Sequence, residues 1–175
     1  MIRKLIYLFT PKLIILKIMF KIYFPTNNLY SITFSPNHQY FATASADKTA
    51  RIWKFTNGKE ITCMRHEGYV YSVAFSPDSK YLATASADKT ARIWEVPSGR
   101  EISRLTNNDI KTVVFSSDGK YLATTSNDGT VKVWLWRAED LIQEACNRLP
   151  RNLTSEEWQQ YLNDESYSKT CLNLD

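Results

Sequence analysis

Twelve residues, ATASADKTARIW, occur twice in this chain, ending at Trp53 and again at Trp94, and a looser copy, ATTSNDGTVKVW, ends at Trp134. The three tryptophans stand 41 and then 40 residues apart. Self-similarity at a period of about 40 to 45 residues marks a row of supersecondary units, each too thin to bury its own apolar surface and therefore dependent on its neighbours. The chain is thereby constrained to stack.

Each unit spells strands. In the middle copy SVAFSP mixes β-branched and aromatic residues and stops at a Pro-Asp-Ser turn, and SITFSPNHQ and TVVFSSDGK keep the same strand and turn with changed letters. YLATAS and ARIWEV follow, joined across ADKT, a hairpin whose Asp can accept a hydrogen bond from its own backbone. The third copy turns at NDGT, where Gly129 takes a positive φ at no steric cost. A fourth strand, EITCM or EISRL, alternates polar and apolar residues as a half-exposed outer strand does.

With 43% hydrophobic and 13% aromatic residues in 175, the chain is apolar enough to fold and too low in net charge for disorder. The formal charge of +4 suggests a phosphate-binding protein only until its location is considered. Arg3, Lys4, Lys12, Lys17 and Lys21 lie in the first 25 residues, where there is no Asp or Glu, and the remainder carries 17 basic against 18 acidic residues. A nearly neutral body gives no footprint for nucleic acid. Cys63, Cys146 and Cys171 are odd in number and far apart, which points to neither a disulfide framework nor a zinc site and fits a reducing, cytoplasmic setting. The tripeptide NLT at Asn152 is too short a pattern to weigh as a glycosylation acceptor.

The phrasing FSPDxxYLATASADKTxRIW, three times over roughly residues 18 to 136, resembles the WD-repeat family of β-propellers. The resemblance implies an all-β fold of three four-stranded antiparallel sheets, a partial propeller, with a short C-terminal helical tail. It also implies a buried polar network in each blade: Trp53, Trp94 and Trp134 on the third strand, Ser45, Ser86 and Ser126 on the second, Asp47, Asp88 and Asp128 in the hairpin, and a histidine in the loop leading into the blade. Only the middle copy supplies that histidine, His66; Pro25 and Thr106 stand in its place in the other two. His38, in the turn SPNHQ, reads as a solvated turn residue. Partners of such proteins often dock beside the leading loops and the hairpins, so Tyr69, Tyr71, Lys111 and Asn127 are the candidate contact residues, with Ala46 and Ala87 before the other two hairpin aspartates.

Three parts follow. Residues 1–24 are a basic apolar segment, residues 25–136 hold the three repeats, and residues 137–175 form a helical tail. The first segment is broken by Pro11, Lys12, Lys17 and Lys21 before it reaches a membrane span, and it lacks a signal-peptide cleavage pattern. Its MFKIY, residues 19–23, keeps the spacing of a rim strand; a helix on a surface or membrane, or no ordered structure, are the alternatives. In the tail, Leu141, Ile142, Ala145 and Leu149 recur at helical spacing, and TSEEWQQYL opens a second helix at Thr154 with Trp158, Tyr161 and Leu162 on one face, a face best suited to docking on the propeller's side. The tail resembles the extension after the propeller in bacterial, notably cyanobacterial, WD-repeat proteins, whose repeats serve as sensor or scaffold in signalling assemblies.

Three repeats are fewer than the four to eight of a closed propeller, so the expectation is a fragment, a ring closed by a second copy, or an open arc. No nucleotide-binding loop, metal cluster or cofactor motif is spelled. Ser86, His66 and Asp88 could be taken for a hydrolytic triad, but Ser and Asp recur in all three copies with Trp beside them, which is the economy of a structural network and not of one active site. The expected function is a non-catalytic scaffold for protein–protein interaction, in bacterial signalling, without cofactor; a membrane-associated module and, last, a hydrolase are the alternatives.

Overall fold

The computed structural model describes residues 28–107, 109–148, 151–152, 154–156 and 171. Their strands form three antiparallel sheets. The first joins β1 (Leu29–Phe34), β2 (Tyr40–Ser45), β3 (Thr49–Lys54) and β4 (Glu60–Arg65) in chain order, and the second repeats it with β5 (Val70–Phe75), β6 (Tyr81–Ser86), β7 (Thr90–Glu95) and β8 (Glu101–Thr106). Among the described residues the third has three strands, β9 (Ile110–Phe115), β10 (Tyr121–Ser126) and β11 (Val131–Leu135), followed by the helix α1 (Ala138–Arg148).

Register is the same in every sheet: Phe41 lies opposite Trp53, Leu82 opposite Trp94 and Leu122 opposite Trp134. Because side chains alternate across a strand, one repeat gives each sheet two different faces. The face toward the preceding sheet carries large groups, and the face toward the following sheet carries small ones. Thus Val70, Val73, Phe75, Leu82 and Trp94 of the second sheet pack on Ala42, Ala44, Ala50, Ile52 and Met64 of the first. On its other side Ala83, Ala85, Ala91 and Ile93 meet Ile110, Val113, Leu122 and Trp136 of the third. The alanines of ATASADKTA are there so that two sheets can approach, and each fully buried Ile or Leu contributes roughly 1.5–3 kcal/mol.

Turn chemistry repeats as well. Ser76 Oγ donates to Asp78 and accepts the Tyr81 N–H at 3.0 Å, and Ser35 with Asn37 and Ser116 with Asp118 do the same before Tyr40 and Tyr121. Each of these turns passes through a left-handed residue, His38, Ser79 or Gly119, so exposed His38 is a turn residue. In the β2–β3, β6–β7 and β10–β11 hairpins Lys48, Lys89 and Gly129 take the corresponding positive φ. The inner strands β1, β5 and β9 lie side by side, and each bulges at its second residue: Tyr30, Tyr71 and Lys111.

The tail departs from expectation in two respects. Helix α1 begins with Glu139 and Asp140 and ends with Arg148, as the helix dipole favours, but Leu141 and Ile142 are exposed and Cys146 is its buried residue. Cys146 is bonded to Cys171. The expectation of no disulfide is therefore corrected: 25 residues of separation concealed a pair that the fold brings together, and Cys63 is left as the free thiol. Buried Asn152 holds the junction, its Nδ2 donating to the Cys171 carbonyl at 2.9 Å and its Oδ1 accepting the Cys171 N–H at 3.0 Å, so its amide is occupied in a way that glycosylation would destroy. No helix among the described residues is long and apolar enough to cross a membrane. The rim strand expected at 19–23, Pro25, and the second helix with Trp158, Tyr161 and Leu162 lie outside the described residues.

Candidate functional site

Two polar constellations grow from the repeat, one buried between sheets and one on the surface. The buried one begins at the tryptophan. Trp94 Nε1 donates to Thr84 Oγ1 at 2.9 Å, and Trp53 and Trp134 donate to Thr43 and Thr124 at 3.0 Å. The hydroxyl partner is thus the threonine two residues before the serine expected from the resemblance. Reach explains the correction, since Thr84 and Ser86 both share the tryptophan's face but Thr84, opposite Arg92 in register, is the nearer of the two to Trp94. Ser86 instead donates to the Gly68 carbonyl at 3.2 Å and accepts the Asp88 N–H at 3.1 Å, and Ser45 accepts the Asp47 N–H at 3.2 Å.

From Thr84 the network continues to His66, whose Nε2 lies 2.8 Å from Thr84 Oγ1 and whose Nδ1 lies 2.8 Å from Asp88 Oδ2. Asp88 also accepts from the backbone of Glu67 and Thr90, from the Thr90 hydroxyl and from Arg92 Nη2. Burial alone would raise its carboxyl, but the bonds from Thr90 and His66 outweigh that and hold it well below the ordinary carboxylate range. An ionised acceptor at Nδ1 places the imidazole proton there and leaves Nε2 to accept from Thr84. Burial lowers the His66 pKa in spite of Asp88, which keeps the ring neutral. Arg92 completes the set by donating Nε–H to Thr90 Oγ1 at 3.0 Å and by pairing with Glu101 across β8.

Asp47 and Asp128 repeat the hairpin part of this design by accepting from Thr49 and Thr130. Arg51 copies Arg92, binding Asp47 and Glu60. The third sheet substitutes a different pair. Asn107, not Thr106, occupies the histidine's place: its N–H bonds the Lys89 carbonyl as the His66 N–H bonds that of Lys48. Its side chain donates to Ser126 Oγ and accepts from Lys132 Nζ at 2.7 Å, so Asn and Lys stand where the middle blade has His and Arg. The one-residue offset arises because the residue that shortens the second interval between tryptophans is missing after Asn107, so a count forward from the preceding tryptophan, Trp53 to His66 and Trp94 to Asn107, finds it. Thr84, Arg92 and Asn107 join the buried network beyond the residues that the resemblance implies, and Thr84 and Arg92 are letters common to both perfect copies.

Chemically, Thr84, His66 and Asp88 have the order of a hydroxyl, base and acid, but the hydroxyl is fully buried beneath Trp94 and its lone pair holds the indole N–H. Ser86 bonds neither nitrogen of His66. Thr84 and Ser86 are both fully buried, and the bonds of the array run between the leading loop, the hairpin, the second strand and the third strand.

The surface constellation gathers all four expected contact residues. Tyr30 lies 5.4 Å from Tyr71 and 6.5 Å from Tyr69, centroid to centroid. Lys111 Nζ sits 3.9 Å above the Tyr71 ring and 3.2 Å from Asp109, which in turn accepts from the Asn127 amide. The three bulges are what bring residues of three sheets into one patch, and Tyr30 and Asp109 are members that spacing did not single out. Ala46 and Ala87 are fixed in the hairpins by N–H bonds to the carbonyls of Asn28 and Tyr69.

Like antiparallel sheets stacked face to face around adjacent inner strands are the blades of a β-propeller. Residues 18–54, 58–95 and 99–134 match the family described as WD domain, G-beta repeat, and the chain belongs to that family. Two similar solved structures are described as "Structure of U3-55K" and "Crystal structure of RRP9 WD40 repeats"; each superposes with a TM-score of 0.61 at 25% identity over 65% of this chain. The chain spans 37% of the length of each. No curated protein matches it. Since 1153 solved chains share the fold, the fold by itself names no partner.

Proposed function

We propose that this chain is a non-catalytic scaffold that binds protein partners through the patch of Tyr30, Tyr69, Tyr71, Lys111 and Asn127. The observation that carries the reading is the convergence of three equivalent bulges on one exposed surface, with Tyr69 and Tyr30 each close to half exposed. Tyrosine offers a large rigid area with a polar tip, and a lysine held over a ring presents its charge at a fixed point, which are the properties of an anchoring contact. Family membership supports protein binding as the activity. The reading extends to a role in bacterial signalling, as the sensor part of a larger assembly, and to self-association that completes a propeller. A cytoplasmic setting suits that role, and the Cys146–Cys171 bond is the observation that stands against it. The test is chemical cross-linking of the intact chain in its native cells, with Tyr69→Ala/Tyr71→Ala as comparison. Defined protein adducts lost in the double variant, at unchanged melting temperature, are expected; adducts retained at full yield would overturn the assignment of the patch.

A further inference from the structure

An amphipathic helix on a protein surface ordinarily turns its apolar stripe inward, and α1 does the reverse. Lining the gap between α1 and the third sheet are Asp140, Gln143, Glu144 and Asn147, one helix side, which with Lys120 and Tyr121 border a cavity of about 150 Å³. Asp140 Oδ2 is buried and among the described residues has no hydrogen-bond partner; Arg137 Nη1 stands 4.0 Å away. A buried acceptor without a donor destabilises the arrangement that holds it. On the opposite side of the helix Leu141 is 57% and Ile142 46% exposed, and Ala145 is exposed as well. A place for that stripe lies alongside: a cavity of about 490 Å³, lined in part by Ile102 and Leu105 of β8, by Leu135 and Trp136 at the end of β11, and by Leu141. What opposes the move is the bond from Cys146, the buried residue of α1, to Cys171, whose backbone N–H and carbonyl are both gripped by the Asn152 amide.

We propose that the Cys146–Cys171 bond is a redox latch on the orientation of α1. While the bond stands, the helix is kept with Leu141 and Ile142 outward; when a dithiol reductant breaks it, α1 rolls about its axis and seats them in the cavity beside β8. A thiolate of the reductant attacks one sulfur and the S–S bond breaks; the second thiol of the reductant then resolves the mixed disulfide. Cys146 and Cys171 end as two thiols, having gained two electrons and two protons, and the reductant ends as a disulfide. Cys146 stands in the last turn of α1, and fraying of helix ends gives the thiolate its access to a buried sulfur. The roll takes apolar surface out of water and returns the orphaned Asp140 oxygen to it, so only the outward setting needs the bond. The latch involves no residue of the tyrosine patch, and either reading can fail alone.

Hydroxyl-radical footprinting of the intact chain, read by mass spectrometry at Leu141 and Ile142 before and after treatment with dithiothreitol, tests it, with Cys146→Ser/Cys171→Ser as comparison. Labelling of both residues should fall about fivefold on reduction, the ratio of a half-exposed to a buried side chain, and return on reoxidation. The double variant should show the low labelling without reductant, and far-UV circular dichroism should keep its helical signal in every state. Labelling unchanged by reduction, or a double variant labelled like the oxidised chain, would overturn the proposal. So would loss of the helical signal on reduction, which would make the bond a support of the helix and not a latch on its orientation.

Discussion

Thr84 and Thr43 stand in identical twelve-residue surroundings and do different amounts of work. Each hydroxyl accepts an indole N–H, but Thr84 also serves His66. Thr84→Val preserves shape while leaving two buried polar atoms without a partner, and an orphaned buried group costs about 1–3 kcal/mol. Urea denaturation is expected to show a larger loss for Thr84→Val than for Thr43→Val; equal losses would remove His66 from the network. The pH dependence has a definite sign. Because the folded-state pKa of His66 lies below 6.5, the unfolded chain takes up the proton first as pH falls, so the contribution is complete above the unfolded value and is lost below it. Melting at about pH 5.5 should fall below that at about pH 7.5, and His66→Asn, which installs the third sheet's residue, should flatten the difference. The depressed Asp88 carboxyl acts in a separate and more acidic window, with stability lost as pH drops through its folded-state pKa. Gly68 is required for proximity: a Cβ there would lie 2.6 Å from the Asp88 nitrogen and 2.9 Å from the Ala87 carbonyl carbon. Gly68→Ala must push the loop off the hairpin, and a loss of about 1–3 kcal/mol by the same assay is expected, as for overpacking elsewhere.

Strands and hairpins were legible because their signals are local. The alternation in YLATAS, the Asp-Lys turn and the Gly129 substitution all act within a few residues, and β6, β7 and β10 appear where those letters put them. What was not legible depends on which face a side chain takes. Serine and threonine are both present in each second strand, two residues apart on one face, and only the reach of the indole selects Thr84 over Ser86. Asn107 was hidden by a single deleted residue in the loop, and the disulfide by a separation across which no periodicity runs. The disulfide is open to direct count. Thiol titration of the unfolded chain without reductant should find one reactive group, Cys63, and three after reduction; three in both conditions would mean that α1 and Cys171 are not joined.

Across the whole molecule, stability is shared between neighbours. Among the described residues the middle sheet packs against a sheet on both faces, whereas the first and third sheets each pack against a sheet on one. That dependence was readable from the period alone, since a repeat that cannot bury its own surface announces its need for company. The pairing of large with small faces was not, because it appears only when the register is known. It follows that Ile93→Ala, at the joint between the second and third sheets, should cost about 2–5 kcal/mol, while its exposed counterpart change Val133→Ala leaves the stability of the single chain within about 0.5 kcal/mol in dilute urea titrations. The most direct test of mutual shielding is amide hydrogen exchange resolved by strand, recorded in solution dilute enough that the chain is a single copy. Protection should be greatest in β6 and β7, at the level of global unfolding, and least in β11. Uniform protection across the three sheets, or slowest exchange in β11, would show that the blades do not depend on one another for burial.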